Sequence, residues 1–518
     1  MGEGSDGATA GALPAGEHAG TEASAKADPG RSSRQWRSVW RIHFYSGMFS
    51  IPFLLLMAVT GLVILYTQPL QDLTQSGLRT VDRGAERVSF DEQAAAVEAA
   101  YPDATVISLT VPADEGRSAI FGIDDGTMNG REVFVDPYTA EVLGDTKTAG
   151  GVVGLSNRLH GYLNNDTVTV SLPAVAALWD DEPLMREYVV GDMILEVLGV
   201  WTLALVISGL FLFWPRRSRN SSGTKGERRL LGVRWGAKGR ARIRDLHGLG
   251  GLVLFGVMVL TIVSGMGWSS YWAGNFTSFA EKVSPPSYVD APASALGERG
   301  DLDRLGNQIP WATGDFPIPA SYAPAEQDGT TPRPLALDDV VAIAEEEGMR
   351  PGYSVYFPAN DVDEAGNPVY GSFTVSNSWP RKTSEARDLF LDQYTGETLA
   401  EQAVYGYGDV QVAMDTLVST HMGTQLGIVS RIAMTGLCLL GIWSCVSALL
   451  MFWRRRRPGT LGVPRRPADV RLERGALVTA VLLGIVFPLW GVVALVIFGI
   501  DRFVIRNVGP LRRTFGQA

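Results

Sequence analysis

Apolar residues in this chain are gathered into five long blocks, near 44–68, 191–214, 247–272, 425–453 and 476–500, with polar sequence between them. Each block approaches the roughly 20 apolar residues that an α-helix needs to cross a hydrocarbon core. Between the blocks the pattern changes. Residues 88–144 open with a helix-like run, Val88-Ser-Phe-Asp-Glu-Gln-Ala-Ala-Ala-Val-Glu-Ala-Ala100, continue as alternating strand-like runs, and end in Val133-Phe-Val-Asp-Pro-Tyr-Thr-Ala-Glu-Val-Leu-Gly144. Residues 335–399 repeat the pattern, from Leu335-Ala-Leu-Asp-Asp-Val-Val-Ala-Ile-Ala-Glu-Glu-Glu347 to Leu389-Phe-Leu-Asp-Gln-Tyr-Thr-Gly-Glu-Thr-Leu399. Asp-Pro-Tyr-Thr and Asp-Gln-Tyr-Thr-Gly read as tight turns between strands, so each unit is expected to be a helix on a small antiparallel sheet.

Charge orients the blocks. Residues 215–246 carry eleven Lys/Arg against two acids, and residues 454–474 carry eight against two. Residues 69–190 and 274–424 reverse the balance, with eight Lys/Arg each against twenty and twenty-three acids. Basic loops stay in the cytoplasm, so the N-terminus and both short loops are expected inside and both long regions outside. The expected map is a tail 1–35, a first span within 36–68, an external region 69–190 with a domain at 88–145, and a second span 191–214. A basic loop 215–246, a third span 247–272, an external region 273–424 with a domain at 335–400, and a fourth span 425–453 follow. The chain then closes with a basic loop 454–475, a fifth span 476–500 and a tail 501–518. Residues 1–35 lack an apolar signal-peptide core and read as a disordered cytoplasmic leader, the first block serving as an uncleaved anchor. Five crossings place the C-terminus outside, although Arg502, Arg506, Arg512 and Arg513 lie there; Pro488, inside the fifth block, leaves room for a kinked or re-entrant helix. The net charge of -10 argues against a nucleic-acid partner.

The blocks repeat. His43-Phe-Tyr-Ser-Gly47 followed by Thr60-Gly61-Leu62 matches His247-Gly-Leu-Gly-Gly251 followed by Ser264-Gly265-Met266, the pattern H-x3-G-x12-[ST]-G-[LM]. Histidine and second glycine are eighteen residues apart, about five helical turns, so both lie on one face. Small residues at that spacing admit a partner helix or a flat macrocycle. Ser208-Gly-Leu-Phe-Leu-Phe-Trp214 and Ser447-Ala-Leu-Leu-Met-Phe-Trp453 also match, each ending in an interfacial tryptophan before basic residues.

Four of the five histidines stand at or before the start of a block: His43 and His247 on the basic side, His160 and His421 on the acidic side. Histidines on facing helices can clamp haem iron, and one pair near each membrane face would make a path for electrons across the bilayer. The plainer reading is an interfacial histidine hydrogen-bonded near the headgroups, or, for the outer two, a surface residue or substrate contact. Glu196 and Arg431 are charges inside spans, functional candidates that could neutralise a haem propionate or pair with a neighbour. Asp180-Asp181-Glu182 reads as a solvated acidic face and Gly248-x-Gly250 as helix packing. Cys438 and Cys445, seven residues apart in an apolar block, read as packing residues. No flavin or nicotinamide domain is visible.

The helix opening in Phe90-Asp-Glu, the turns Asp136-Pro-Tyr-Thr and Asp392-Gln-Tyr-Thr-Gly396, Arg41-Ile-His43, Leu159-His160-Gly, Asp245-Leu-His247, Thr420-His421-Met-Gly423 and the exit Trp214-Pro-Arg-Arg together resemble the PepSY-associated transmembrane family, over roughly residues 36–505. That family includes iron-regulated membrane proteins and siderophore reductases. Two departures are Ala140, where the first turn usually has Gly, and Arg431. The resemblance implies an internally duplicated membrane α-helical bundle of about five helices with two extracytoplasmic α+β PepSY-like domains, in a bacterial inner membrane. It also implies one or two haem b groups on His43, His247, His160 and His421. The activity implied is reduction of a ferric siderophore or other ferric chelate outside the cytoplasm, with electrons from a membrane quinol or a separate cytoplasmic reductase. The rival reading is a PepSY membrane protein that binds or regulates an extracytoplasmic protease or sensor without redox chemistry. A siderophore or metal transporter is disfavoured, since no pore-lining series of charges appears.

Overall fold

A computed structural model describes residues 29–127, 130–148, 150–165, 167–180, 183–214, 233–236, 238–287, 293–298, 316–324, 333–363, 365–377, 381–455 and 474–515. The leader before residue 29, most of both basic loops, and Asp181 and Glu182 lie outside the described residues.

In chain order, a long helix α1 (Pro29–Leu65) leads through α2 (Thr67–Thr74) and α3 (Ser76–Arg79) to α4 (Phe90–Ala100) and strands β1 (Thr105–Thr110), β2 (Ala119–Asp124), β3 (Arg131–Val135) and β4 (Val142–Lys147). Then come α5 (Gly151–Tyr162), a hairpin of β5 (Thr169–Pro173) and β6 (Met185–Val189), and the long helix α6 (Val190–Phe213). The second half runs through α7 (Arg240–Met266), α8 (Ser270–Val283), β7 (Ala293–Glu298), β8 (Pro317–Pro319), α9 (Leu337–Glu346), β9 (Ser354–Tyr356), β10 (Asp361–Val362), β11 (Pro368–Val369), β12 (Ser372–Ser376), β13 (Arg387–Asp392) and β14 (Thr398–Ala403). It closes with α10 (Asp409–His421), α11 (Ile428–Arg455), α12 (Arg474–Val486), α13 (Pro488–Ile500) and α14 (Gly509–Thr514).

Among the described residues, five helices are long and apolar enough to cross a membrane, α1, α6, α7 and α11 among them. α1 packs against α6 and α11, and α7 packs against the same two, which makes a four-helix ring with α1 diagonal to α7. Loop polarity drives this arrangement: the helices expose apolar side chains outward, such as Phe49 on α1, Val253 on α7 and Ile432 on α11, and lipid satisfies them where water would not.

The fifth block differs from the single span expected over 476–500. Phe487, with φ -125 and ψ 80, leaves the helical region, and Pro488 begins a new helix. A Cβ on Gly491 would stand 3.0 Å from the Gly484 Cα, whereas residues seven apart in one continuous helix are about 10 Å apart. The chain therefore reverses at Phe487, and the two glycines let the two helices touch. The return strand of this helical hairpin, 488–505, is apolar and about 27 Å long. It delivers the C-terminus to the end where α1 begins: the Phe515 carbonyl accepts hydrogen bonds from Arg41 Nη2 at 3.4 Å and Tyr45 Oη at 3.2 Å. The four C-terminal arginines thus lie at the same end of the bundle as the other basic segments, not at the acidic end as five crossings implied.

The acidic regions form one eight-stranded antiparallel sheet, in the order β14-β13-β12-β9-β1-β2-β3-β4, where two separate small sheets were expected. The seam is the pairing of β1 with β9: Ser108 with Tyr356, Leu109 with Val355, Thr110 with Ser354. Leu109, Phe121, Ile123, Val133, Val355, Val375 and Leu389, at alternate positions, are fully buried on one face, and β9, β12 and β13 are buried on the other face as well. α4 and α9 cover that face with Phe90, Ala94, Val97 and with Leu337, Val340, Val341, Ala344, each at helical spacing. The helices cap one another: Asp338 Oδ2 accepts from Phe90 N at 2.9 Å, and Asp91 Oδ1 accepts from Leu337 N at 3.2 Å. At the two turns noted in the sequence, Gly396 (φ 73) and Ala140 (φ 55) both occupy the left-handed region. Alanine holds there the conformation that glycine adopts at less cost.

Candidate functional site

The histidines meet in two pairs. His43 on α1 and His247 on α7 face each other across the diagonal of the ring, with ring centroids 6.4 Å apart and ring planes at 75°. His160, in the last turn of α5, and His421, the last residue of α10, have centroids 6.2 Å apart at 74°. An imidazole nitrogen binds a first-row metal at about 2 Å, so two imidazoles on opposite sides of one ion place their centroids about 6 Å apart. Both pairs have that spacing, although one is built on membrane helices and the other on short helices that fold back against the bundle. α5 packs on α1 and α6, and α10 on α7. This fold-back brings the outer histidines level with Thr60 and Ser264, seventeen residues beyond His43 and His247, or about 25 Å along α1 and α7.

Each ring is oriented by a hydroxyl on a neighbouring helix. Nδ1 of His43 lies 3.2 Å from Ser208 Oγ and 3.0 Å from the Leu205 carbonyl. The matching contacts are His247 to Ser447 Oγ, His160 to Thr60 Oγ1 and His421 to Ser264 Oγ, all 2.9 Å. Every one of these hydroxyls donates its proton to a carbonyl of its own helix: Ser208 to Leu205, Ser447 to Ser444, Thr60 to Leu56 and Ser264 to Thr261. A hydroxyl has one proton to give, so it accepts from the imidazole. All four rings are then Nδ1-H tautomers, and Nε2 carries the lone pair of a metal ligand. Burial pulls the pKa of His160 and of His421 down to about 4, which keeps both imidazoles neutral and able to ligate.

Glycines clear the space beside the rings. A Cβ at Gly209 would stand 3.0 Å from His43 Cε1, at Gly61 3.3 Å from His160 Cε1, and at Gly265 3.7 Å from His421 Cε1. Each of these glycines follows the serine or threonine that holds the same histidine; beside His247 the corresponding residue is Ala448. Gly47 and Gly251, one turn beyond His43 and His247, line the cavity between the helices. That cavity is continuous, has a volume of about 2110 Å³, and is bounded by all four histidines. Among the described residues, no three His, Cys, Asp or Glu side chains stand together as a metal site. Each pair would offer a metal ion two imidazole nitrogens. The spacing, the tautomers and the glycine clearances all fit haem.

The other candidates sort differently. Glu196 Oε2 accepts from Trp272 N at 3.0 Å, and Asp192, one turn earlier, accepts from Ser270 N. Together they cap the first turn of α8, which explains a carboxylate inside α6. Arg431 lies in the first turn of α11, at the outer end rather than deep in the span. Asp180 accepts from Ser278 Oγ at 2.6 Å and pairs with Lys282 at 3.3 Å, so it ties the β5–β6 region to α8. A Cβ on Gly248 would collide with the Phe213 ring at 2.4 Å, which makes this glycine a helix-packing residue. Cys438 and Cys445 are free thiols on α11.

Sequence reasoning missed Ser208 and Ser447. Both open the matched segments Ser208–Trp214 and Ser447–Trp453, so the signal was there, but it was read only as interfacial anchoring. A family model described as PepSY-associated TM region matches residues 40–455. No curated protein matches the chain.

Proposed function

Because the chain belongs to the family of the PepSY-associated TM region, we propose that it is a haem-binding, multi-pass membrane protein that carries electrons across the bilayer. The acceptor is ferric iron, held in a siderophore or another ferric chelate, on the acidic side, which is the extracytoplasmic face of a bacterial inner membrane. The observation that carries this reading is the pair of His–His couples with centroids 6.4 and 6.2 Å apart, their Nδ1 atoms tied down and their Nε2 atoms left for iron. Haem bound between such couples supplies one-electron redox chemistry.

The residues of the chain supply the rest. His43 with His247, and His160 with His421, would hold the haem iron. Ser208, Ser447, Thr60 and Ser264 fix ring orientation and tautomer, and they raise ligand basicity through the Nδ1 hydrogen bond. Gly209, Gly61 and Gly265 keep the ring edges unobstructed, and the apolar wall of the ring of helices keeps water from the iron. The basic end faces the cytoplasm, where a membrane quinol or a cytoplasmic reductase gives up the electron. Each ferric ion gains one electron, so a quinol, which gives up two electrons and two protons as it becomes a quinone, would serve two ferric ions. The ferrous product is held less tightly by hard oxygen donors and leaves its chelator. This chemistry asks for no nucleophile and no acid-base dyad.

The test is optical. Purified protein should carry a reducible Soret band and b-type α-band. His43→Ala or His247→Ala should remove one haem, and His160→Ala or His421→Ala the other. A folded but colourless protein from haem-replete cells would sink this reading and leave the regulatory PepSY alternative.

A further inference from the structure

At the basic end, the cavity that holds His43 and His247 opens into a mouth whose charge is unbalanced. Among the described residues, five arginines line it, namely Arg37, Arg234, Arg240, Arg244 and Arg455, together with a single carboxylate, Asp245. Asp245 is already engaged: Arg234 Nε meets its Oδ2 at 2.7 Å, and Arg244 Nη2 its Oδ1 at 3.4 Å. Arg240 and Arg455 both line this mouth, and among the described residues neither has a carboxylate partner. Arginines at the inner ends of membrane helices commonly reach outward to lipid headgroups, and these also line the cavity mouth.

Their register ties them to the histidines. Arg244 and Arg240 lie three and seven residues before His247 on α7, so all three share one helix face, and Arg240 stands about 10 Å below His247. On the facing helix, Trp40 and Trp36 occupy the same offsets from His43 and stack at 6.0 Å with planes 4° apart. Arg455 lies over the Trp40 ring at 4.0 Å, which fixes its guanidinium against that wall. The mouth is thus a slot with aromatic and guanidinium walls, placed one to two turns from the ligand pair.

We infer that Arg240 and Arg455 receive the two carboxylates of the haem held by His43 and His247, an inference that rests on the haem reading above. Two guanidinia at one cavity mouth, with no carboxylate partner among the described residues, suit a dianion, and fork-shaped donors suit carboxylates. Beside the outer pair, among the described residues, a single arginine lines the cavity: Arg158, two residues before His160, which donates to Asn164 at 2.8 Å. The two sites therefore differ in charge although their axial ligands match. The cations favour the more negative, reduced state, so the inner site has the higher midpoint potential of the two.

The test uses the full-length protein in nanodiscs of neutral lipid. Apoprotein is reconstituted with haem b or with its dimethyl ester, which keeps the macrocycle and loses both charges. In the wild type the inner site should prefer the diacid by about tenfold or more, and Arg240→Ala combined with Arg455→Ala should abolish that preference. The double variant should also lower one midpoint in a redox titration and leave the other in place, and Arg240→Lys should restore part of the difference. His43→Ala identifies which midpoint belongs to the inner site. Equal affinity of the wild type for haem and ester, or unchanged midpoints in the double variant, would overturn the assignment while the haem reading stands. Diacid preference that appears only after anionic lipid is added would assign these arginines to headgroups, and likewise overturn it. A wild type that binds no haem at all refutes the haem reading itself, and this assignment with it.

Discussion

Gly209→Ala places one methyl group against the edge of His43, and its consequence can be worked from distances. The added Cβ would stand 3.0 Å from Cε1 and 3.4 Å from Nδ1. Non-bonded carbons settle at about 3.5–4.0 Å, so the ring must retreat by about 0.5 Å. Metal–ligand bonds tolerate about 0.2 Å, and His43 cannot slide along its other side because Nδ1 is held by Ser208 and by the Leu205 carbonyl. The inner site should therefore lose haem affinity by about tenfold or more, a disturbance like that of losing an outer-shell partner. Gly61→Ala, at 3.3 Å from His160, needs a retreat of about 0.2 Å and sits at the threshold. Gly265→Ala, at 3.7 Å from His421, needs none. The expected order of damage is Gly209, then Gly61, then Gly265, with the native Ala448 beside His247 as the internal precedent for tolerance. Haem per polypeptide and the share of high-spin haem in the optical spectrum measure it. If Gly209→Ala keeps two low-spin haems, or if Gly265→Ala suffers more than Gly209→Ala, the clearance argument is wrong.

Three further outcomes are expected. Thr60→Ala and Ser264→Ala should each weaken retention of the outer haem by about 10–100-fold and leave the inner one intact; haem content after dilution into detergent checks this, and equal loss at both sites would contradict the assigned partners. Arg117 hydrogen-bonds Asp72 and holds its carboxyl below the ordinary 3.8. The stability this pair contributes is present above that ordinary value and is lost as pH falls through the depressed folded value. The difference in unfolding midpoint between the wild type and Arg117→Ala should thus shrink on acidification below about pH 4, and a difference constant throughout would argue against the pair. A reporter fused after residue 518 should report the same side of the membrane as one fused at the N-terminus, because the chain reverses at Phe487; opposite sides would restore a single fifth crossing.

What could be read from the sequence followed from what is local. Membrane helices declare themselves by hydropathy, and His43 and His247 align because they occupy equal offsets from Thr60-Gly61 and Ser264-Gly265. The outer histidines were harder to place: α5 and α10 are short, and the β5–β6 hairpin separates His160 from α6, so nothing in the register brings them together. Hydropathy is also blind to direction. Residues 476–500 are evenly apolar, and only Pro488 hinted that α12 and α13 turn back on each other. The serines that hold His43 and His247 belong to other helices, and their role depends on which faces meet. The joining of the two sheets was hidden for the same reason, since an edge pairing between β1 and β9 spans more than two hundred residues.

That seam constrains how the molecule can work. Alternating-access carriers rock one half against the other about a central site. Here the halves share one sheet and one hydrophobic core, in which Phe121 and Val133 pack in the same cluster as Phe373 and Leu389. Rocking would have to tear the β1–β9 ladder and open that core to water. The sheet is a clasp across the two halves of the bundle, and it holds the helices at fixed separations. The electron transfer proposed above would need no doorway, only a constant distance to cross, and a clasped bundle suits that.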